Sequence, residues 1–171
     1  TGGNAFDNWT YGYVVKIAEL GGTLTDCRVT GNATGEYGGG AVYVNSADGR
    51  VTRCLIANNR YTGTYSFYGG GVRIDAGTLD NCLVTNNTSW HQGGGVHVGG
   101  AKARVLNCTI AKNHSRNTAC GGVYFNATPT AGTFLFQNNI VVGNTCPETK
   151  LSGTGPEWTT SLADAPALSA L

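Results

Sequence analysis

The heptapeptide NCLVTNN, residues 81–87, is the clearest indication of the fold, because close copies of it recur along the chain. The copies are DCRVTGN at 26–32, RCLIANN at 53–59, NCTIAKN at 107–113 and NNIVVGN at 138–144. A second motif recurs between them, as GGAVYV at 39–44, GGGVRI at 69–74, GGGVHV at 93–98 and CGGVYF at 120–125, after a weaker first copy, GYVVKI at 12–17. Such tandem repetition predicts a solenoid of about five units.

The pattern inside each unit decides between helical and β repeats. Apolar residues alternate with other residues, as in Val42 and Val44 or Val96 and Val98, which is the period of a strand with one buried face. Glycine punctuates every unit, which disfavours helices. Because parallel strands with crossover connections turn right-handed, we predict an all-β chain, a right-handed parallel β-helix, over residues 1–144. Residues 145–171 are predicted to form an irregular C-terminal tail that packs on the last coil or extends from it.

Equivalent residues of successive coils should stack in columns about 4.8 Å apart. The first column is a predicted structural ladder of buried amides that bond from coil to coil, formed by Asn32, Asn59, Asn87, Asn113 and Asn144. The glycine pairs predict the opposite bend, where a Cβ would clash with a neighbouring coil. A further inward column consists of Cys27, Cys54, Cys82 and Cys108, which we interpret as small core residues and not as metal ligands, because no histidine shares their face.

Cys120 and Cys146 lie outside the cysteine column, near the end of the repeats. We predict that they form a disulfide that ties down the final coil. Such a bond would indicate an oxidising, extracytoplasmic compartment.

His97 is predicted to point outward, because it lies between two inward valines. Its column would contain Lys16, Tyr43, Arg73 and Tyr124. An isolated surface histidine is one interpretation of this position. A shallow polar and aromatic strip that binds a glycan is the other.

The loops after the asparagines differ most between units. They place aromatic and histidine side chains along one corner of the solenoid, in segments that we expect to be exposed: Tyr37, Tyr61, Tyr65, Phe67, Tyr68, Trp90 and His91. Insertions on one face of a repeat protein often form its binding face, and such rings suit sugars or a protein partner. The residues either contact a ligand or partner or cover one another.

Composition restricts the functional classes. Charged residues make up 12% of the chain and the formal net charge is +1, so no basic field is predicted to hold nucleic acid. No apolar run is long enough to span a membrane. The ten acidic residues are scattered, with Asp26, Asp75 and Asp80 in different columns, so we predict no catalytic residue, no metal ligand and no cofactor. Asp80 is interpreted as the partner of Arg53 in a surface ion pair.

The GGG-apolar and NC-x-I-x-x-N repeats resemble those of right-handed parallel β-helix proteins of bacterial cell surfaces, of the choice-of-anchor and polymorphic outer-membrane protein kinds. The resemblance covers roughly residues 12–144. It implies a secreted or cell-surface protein with a non-enzymatic, structural or adhesive role. Lyases and glycoside hydrolases that act on polysaccharides also use this fold, so polysaccharide binding or degradation is the alternative.

The predicted partners are further copies of the chain, or glycans and surface proteins. The first coil begins within about a dozen residues of Thr1, and the residues before it lack the period of a capping helix. Because open strand edges recruit other chains, we predict head-to-tail contacts that propagate into a filament. The alternative is that the chain forms part of a longer β-helix.

Overall fold

The structure is a computed structural model that describes residues 4–5, 12–35, 39–63, 69–116, 121–126, 135–145 and 162–163. Within these residues, every regular element is a β-strand and the paired strands run parallel in three sheets. The sheets, which we name A, B and C, enclose one apolar core. The predicted all-β solenoid is confirmed.

The strands of each sheet follow one another along the solenoid axis. Sheet A contains β1 (Asn4–Ala5), β5 (Ala33–Thr34), β8 (Arg60–Tyr61), β11 (Thr88–Ser89) and β14 (His114–Ser115). Sheet B contains β2 (Val15–Ala18), β6 (Val42–Thr52), β9 (Val72–Asp80), β12 (Val96–Leu106) and β15 (Val123–Phe125), with β3 (Gly22–Thr25) beside β6 and β16 (Leu135–Gln137) beside β12. Sheet C contains β4 (Arg28–Thr30), β7 (Leu55–Ala57), β10 (Leu83–Thr85), β13 (Thr109–Ala111), β17 (Ile140–Val142) and β18 (Leu162–Ala163). The chain therefore visits the sheets in the order B, C, A in each coil.

The inward residues stack in register and form the core. Val44, Ile74 and Val98 follow one another on adjacent strands of sheet B, and all three are fully buried. Burial of such a side chain contributes roughly 1.5–3 kcal/mol relative to exposure. The alternation in the sequence thus gives the buried face correctly.

Two corners of each coil are turned by residues with positive φ. The first corner, before the cysteine position, has φ between 50° and 56° at Asp26, Arg53, Asn81, Asn107 and Asn138. The second corner, before each ladder asparagine, is turned by Gly31, Asn58, Asn86, Lys112 and Gly143. Glycine and asparagine tolerate this left-handed conformation better than other residues, which explains their recurrence here.

The ion pair predicted between Asp80 and Arg53 is wrong. Arg53 instead binds Asp26, its neighbour in the first corner column, with Nη2 at 2.7 Å from Oδ2. Asp80 binds Arg50, with 2.9 Å between Nη2 and Oδ2. The corner stacks Arg53 over Asp26, so the nearest carboxylate is the one in its own column.

The asparagine ladder is confirmed by its hydrogen bonds. Oδ1 of Asn87 accepts from the backbone N–H and from Nδ2 of Asn59, both at 3.0 Å. Nδ2 of Asn87 donates to Oδ1 of Asn113 at 3.0 Å and to the carbonyl of Ile56 at 2.9 Å. The same pattern links the remaining members, Asn32 and Asn144, at the two ends of the ladder. Each carboxamide thereby bonds to a neighbouring coil, and Asn32, Asn59, Asn87 and Asn113 are buried.

The glycine bend follows sheet A and lies against this ladder. A Cβ added to Gly95 would lie 2.7 Å from Nδ2 of Asn113 and 2.8 Å from the carbonyl oxygen of Gly122. A Cβ at Gly71 would lie 2.9 Å from Nδ2 of Asn87. The motif therefore requires glycine, because the ladder and the adjacent coil occupy the space of a side chain.

The cysteine column is part of the core. Cys54, Cys82 and Cys108 are buried, Cys27 is half-buried, and all four are free thiols. The thiol of Cys108 donates to the carbonyl of Leu106 at 3.0 Å, and its hydrogen bond with Cys82, together with burial, raises its pKa well above the usual value. Asn139 continues the column by accepting from the N–H of Cys108 at 2.9 Å.

The part of the chain after residue 145 contributes one described strand. Leu162–Ala163 pairs with β17 and adds a last strand to sheet C. The predicted boundary between residues 144 and 145 stays a prediction, as does the disulfide, because Cys120 and Cys146 lie outside the described residues. Within the described ranges, no helix has the length and apolar character needed to cross a membrane.

Candidate functional site

The outer face of sheet B carries the column predicted around His97. Strand register places Lys16, Tyr43, Arg73, His97 and Tyr124 beside one another on five successive strands. Tyr43, Arg73, His97 and Tyr124, together with Tyr13, are called the stacked column below. The predicted alignment of these positions is confirmed.

Ring contacts hold the stacked column together. The ring of Tyr13 lies 4.5 Å from that of Tyr43 at an interplanar angle of 21°. The guanidinium of Arg73 lies 4.9 Å from the centre of the Tyr43 ring. His97 and Tyr124 stack with 5.4 Å between their centroids at 24°. Because the rings cover one another, the interior of the column presents ring edges, and not ring faces, to the outside.

A single carboxylate ties the middle of the column together. Asp75 accepts from Nε of Arg73 at 3.1 Å and from Nη2 at 2.7 Å. The hydroxyl of Tyr43 donates to Oδ2 of the same carboxylate at 2.9 Å. The side chains of Arg73 and Asp75 are 19% and 18% exposed, so this charge-assisted network is shielded from solvent.

An irregularity in sheet B brings Asp75 to this position. Asp75 is an extra residue in β9, because Val44 pairs with Ile74 whereas Asn45 pairs with Ala76. The next strand bulges further, and a Cβ at Gly99 or Gly100 would overlap Asp75. The bulge and its two glycines therefore make room for the carboxylate.

Burial changes the proton affinity of the network. Burial, followed by the hydrogen bond to Asp75, raises the pKa of Tyr43 far above its usual value. Burial opposes the charge of Arg73, but the Asp75 carboxylate outweighs it and raises the pKa of the guanidinium. At neutral pH Tyr43 is therefore a neutral donor and Arg73 a cation, both directed at one anion.

The prediction of a surface histidine at position 97 is wrong. His97 does point outward from sheet B, but it is 0% exposed. Burial, with a smaller contribution from the positive charge of Arg73, lowers its pKa to about 3. The register neighbours on both sides, Arg73 and Tyr124, are long enough to cover the imidazole, so an outward position does not give exposure here.

The predicted aromatic corner is only partly described. Trp90 and His91 are half-buried, and the backbone carbonyl of His91 accepts a hydrogen bond from the hydroxyl of Ser115. Tyr61 is 3% exposed in β8, so its predicted exposure is wrong: the residue belongs to sheet A and not to a loop. Tyr37, Tyr65, Phe67 and Tyr68 lie outside the described residues. A ligand-binding role of this corner stays a prediction.

Sequence reasoning missed Asp75 and Tyr13 as members of the candidate site. The spacing Arg73-x-Asp75 puts both side chains on the outer face of one strand, which was the available signal. Tyr13 precedes β2, so no strand register indicated its ring contact. Among the described residues, no group of three or more histidine, cysteine, aspartate or glutamate side chains is arranged to hold a metal ion.

The outer face of sheet C is chemically different. It exposes the aliphatic side chains of Leu83, Ile140 and Val142, which are 41%, 45% and 45% exposed. Threonines and alanines such as Thr85 and Ala111 lie beside them in register. This face offers apolar contact area, whereas the stacked column concentrates the charged and aromatic groups.

Comparison with known proteins agrees with the architecture. Searches of curated proteins and of solved structures give no significant match. Residues 13–159 match the family model described as a right-handed β-helix region. Since this match covers most of the chain, the protein belongs to the right-handed β-helix family.

Proposed function

We propose that the protein is a non-enzymatic β-helix module with a structural and adhesive role at the cell surface. The observation that carries the proposal is that the charged and polar groups at the stacked column bind one another. The Asp75 carboxylate is held by Arg73 and Tyr43, and His97 is buried. Catalysis by general acid or base needs a group that reaches a substrate proton, whereas these groups bind one another.

The accessible residues of the stacked column, together with Lys16 beside Tyr43, support binding. Lys16 is exposed, and Tyr13 and Tyr124 are half-buried at the two ends of the stack. An ammonium group and phenol rings of this kind bind hydroxyl groups and the apolar faces of sugars. We therefore propose a glycan as the ligand of this strip, with the apolar face of sheet C available to a protein partner. The cell-surface location is part of the proposal and rests on the resemblance of the repeats.

Glycan-array binding with the purified 171-residue chain tests this function. Binding to a subset of glycans should fall severalfold in Tyr124→Ala, which removes an accessible ring. Thr85→Ala on sheet C is the matched control and should bind as the wild type does. No binding to any glycan, or equal binding of both variants, would count against the stacked column as the ligand site.

Polysaccharide degradation is the second candidate. The observation that favours it is that the stacked column brings a histidine, an arginine and three tyrosines together beside the Asp75 carboxylate. A panel of plant and microbial polysaccharides, assayed for new reducing ends and unsaturated products, separates the two functions. The adhesive role predicts no product with any polysaccharide. Turnover that is lost in Asp75→Asn would establish the enzyme instead.

A further inference from the structure

The charged side chains are unevenly distributed around the solenoid. Every described carboxylate lies in sheet B, in the turn that follows β2 or at the first corner: Glu19, Asp26, Asp48, Asp75 and Asp80. The ion pairs among the described residues lie on the same side. Within the described ranges, sheet A, sheet C and the second corner between them contain basic side chains but no carboxylate. Positive charge on this side is therefore not neutralised locally.

The basic side chains are concentrated on the outer side of sheet A. Arg60 of β8 and His114 of β14 are exposed, and Thr88 of β11 lies between them in register. The two side chains are thus two coils apart, or roughly 10 Å. Arg116 is exposed just beyond β14, where its N–H donates to a carbonyl of β11 at 3.0 Å, and Lys112 is exposed at the second corner. Arg60, Lys112, His114 and Arg116 are called the cationic face below.

The cations of this face are not bound to anions of the chain. Among the described residues, Arg60, Lys112 and Arg116 form no ion pair, in contrast to Arg73, which binds a carboxylate. Nδ1 of His114 lies 2.9 Å from a threonine hydroxyl in the next coil, so the other ring nitrogen, Nε2, is left for a ligand. The cationic face can therefore bind an anion from outside without first breaking an ion pair.

Neutral hydrogen-bonding groups lie beside these cations. Asn58 and Asn86 turn the second corner with positive φ, in the same column as Lys112, and both are exposed. The half-buried Thr88 adds a hydroxyl between Arg60 and the histidine. Carboxamides and hydroxyls both donate and accept hydrogen bonds, as sugar hydroxyls require, whereas guanidinium groups favour carboxylate or sulfate. The combination is suited to a sugar polymer that carries negative charge.

Other anionic partners fit this face less well. A protein partner would need apolar contact area, but the exposed aliphatic side chains lie on sheet C or beside sheet B: Leu83, Ile140, Val142, Val14 and Leu20. Single-stranded nucleic acid would need a series of ring faces on which bases stack. Trp90 is half-buried, and its register neighbours are Thr62 and Arg116, so no such series forms around it.

We propose that the cationic face binds an acidic polysaccharide that lies along the solenoid axis. Its carboxylate or sulfate groups bind Arg60 on one coil and Arg116 two coils further on, and its hydroxyls bind the neutral groups between them. This surface is separate from the stacked column on sheet B, so the proposal goes beyond the binding strip described above. It stands whether or not the stacked column binds a glycan.

The test is fluorescence anisotropy of a labelled carboxymethyl dextran titrated with the 171-residue chain at low ionic strength. Arg60→Gln/Arg116→Gln should raise the dissociation constant roughly tenfold, because charge-assisted contacts are lost. Lys102→Gln/Arg104→Gln is the matched control, since it removes the same charge from exposed positions of β12. It should change the dissociation constant by less than about twofold, because charges far from the ligand are screened. Circular dichroism verifies that each variant keeps the β-helix.

Unmodified dextran has the same sugar backbone without carboxylates and should not bind. The proposal is wrong if dextran binds as tightly as carboxymethyl dextran, if the wild type binds neither polymer, or if both double variants lose affinity equally. Equally tight binding of single-stranded oligothymidine would also overturn it, in favour of nucleic acid. If Arg60→Gln/Arg116→Gln fails to fold, Lys112→Gln with Arg104→Gln as its control gives the same comparison. Binding to neutral glycans is measured separately, so its failure would leave this result unaffected.

Discussion

The asparagine ladder and the stacked column are both columns of polar side chains, but they differ in how they repeat. The ladder has the same residue on each of its coils and the same bonds between neighbours. The stacked column has a tyrosine, an arginine, a histidine and a second tyrosine on successive strands of sheet B. The first lies inside the solenoid and the second on its outer face.

The repeated residues of the ladder are those that the fold requires, whereas the varied residues of the stacked column belong to one site. Inside the solenoid every coil has the same geometry. An asparagine that bonds to its neighbours on one coil can therefore do so on every coil. Outside, Asp75 on a single strand gives the column a charge centre that has no equivalent on the other described strands of sheet B. A repeated residue is therefore evidence of architecture, whereas the departure from repetition identifies the candidate site.

The largest expected effect is the loss of one ladder residue. Asn87→Ala should lower the free energy of unfolding by on the order of 3 kcal/mol, because it leaves buried backbone and carboxamide groups of two coils without partners. Leu83→Ala, at a position 41% exposed on sheet C, is the control and should change it by less than about 1 kcal/mol. Urea denaturation measures both. Equal losses would mean that the inward and outward assignment is wrong.

A substitution in the glycine bend should have the next largest effect. Gly95→Ala places a Cβ 2.7 Å from Nδ2 of Asn113, and we expect a loss of roughly 1–3 kcal/mol from the resulting displacement of the ladder. Gly35→Ala is the matched control, because its Cβ would meet nothing within 4 Å. It should be neutral or slightly stabilising, since alanine restricts the unfolded chain. Thermal unfolding of both variants tests whether the clash, and not loss of glycine as such, matters.

The buried histidine predicts a pH dependence for the stacked column. The pKa of His97 is about 3 in the folded protein and near 6.5 in the unfolded chain, so between these values the unfolded chain binds a proton that the folded protein does not. Stability from this group is complete above pH 6.5 and falls as the pH falls toward 3. The slope approaches about 1.4 kcal/mol per pH unit, or roughly 2 kcal/mol lost at pH 5.

His97→Gln provides the comparison, because glutamine does not titrate. Denaturation curves from pH 7 to pH 4 should show a shallower loss for this variant, with the other titrating groups common to both proteins. Parallel curves would show that His97 is accessible to protons in the folded state. The column would then be more open than its burial indicates.

Much of the fold could be predicted from the sequence because the solenoid repeats one set of constraints. The alternation of apolar residues along each strand predicted the inward faces. The spacing of the motifs predicted the asparagine ladder and the register of Tyr43, Arg73 and His97. Each of these features depends only on the local period of the chain.

The errors at His97, Arg53 and Tyr61 have a common physical reason. The two-residue period of a strand determines which way a side chain points. Its burial and its ion pairs depend on which side chains the adjacent coils place beside it. His97 is covered by its neighbours, and Arg53 meets Asp26 because both occupy the same corner. The bulge that positions Asp75 also interrupts the repeat, so the repeat predicted the column but only the Arg73-x-Asp75 spacing indicated this carboxylate.

The polar groups of the stacked column bind one another through Asp75 and so brace the surface. A double-mutant cycle with Tyr43→Phe, Asp75→Asn and the combined variant, measured by urea denaturation at neutral pH, tests it most directly. We predict a coupling free energy of about 1–2 kcal/mol, because a hydrogen bond from a shielded hydroxyl to a carboxylate is charge-assisted. A coupling of zero would show that the column is not braced in this way, because Asp75 would then be available to a ligand or a reaction and not bound to Tyr43.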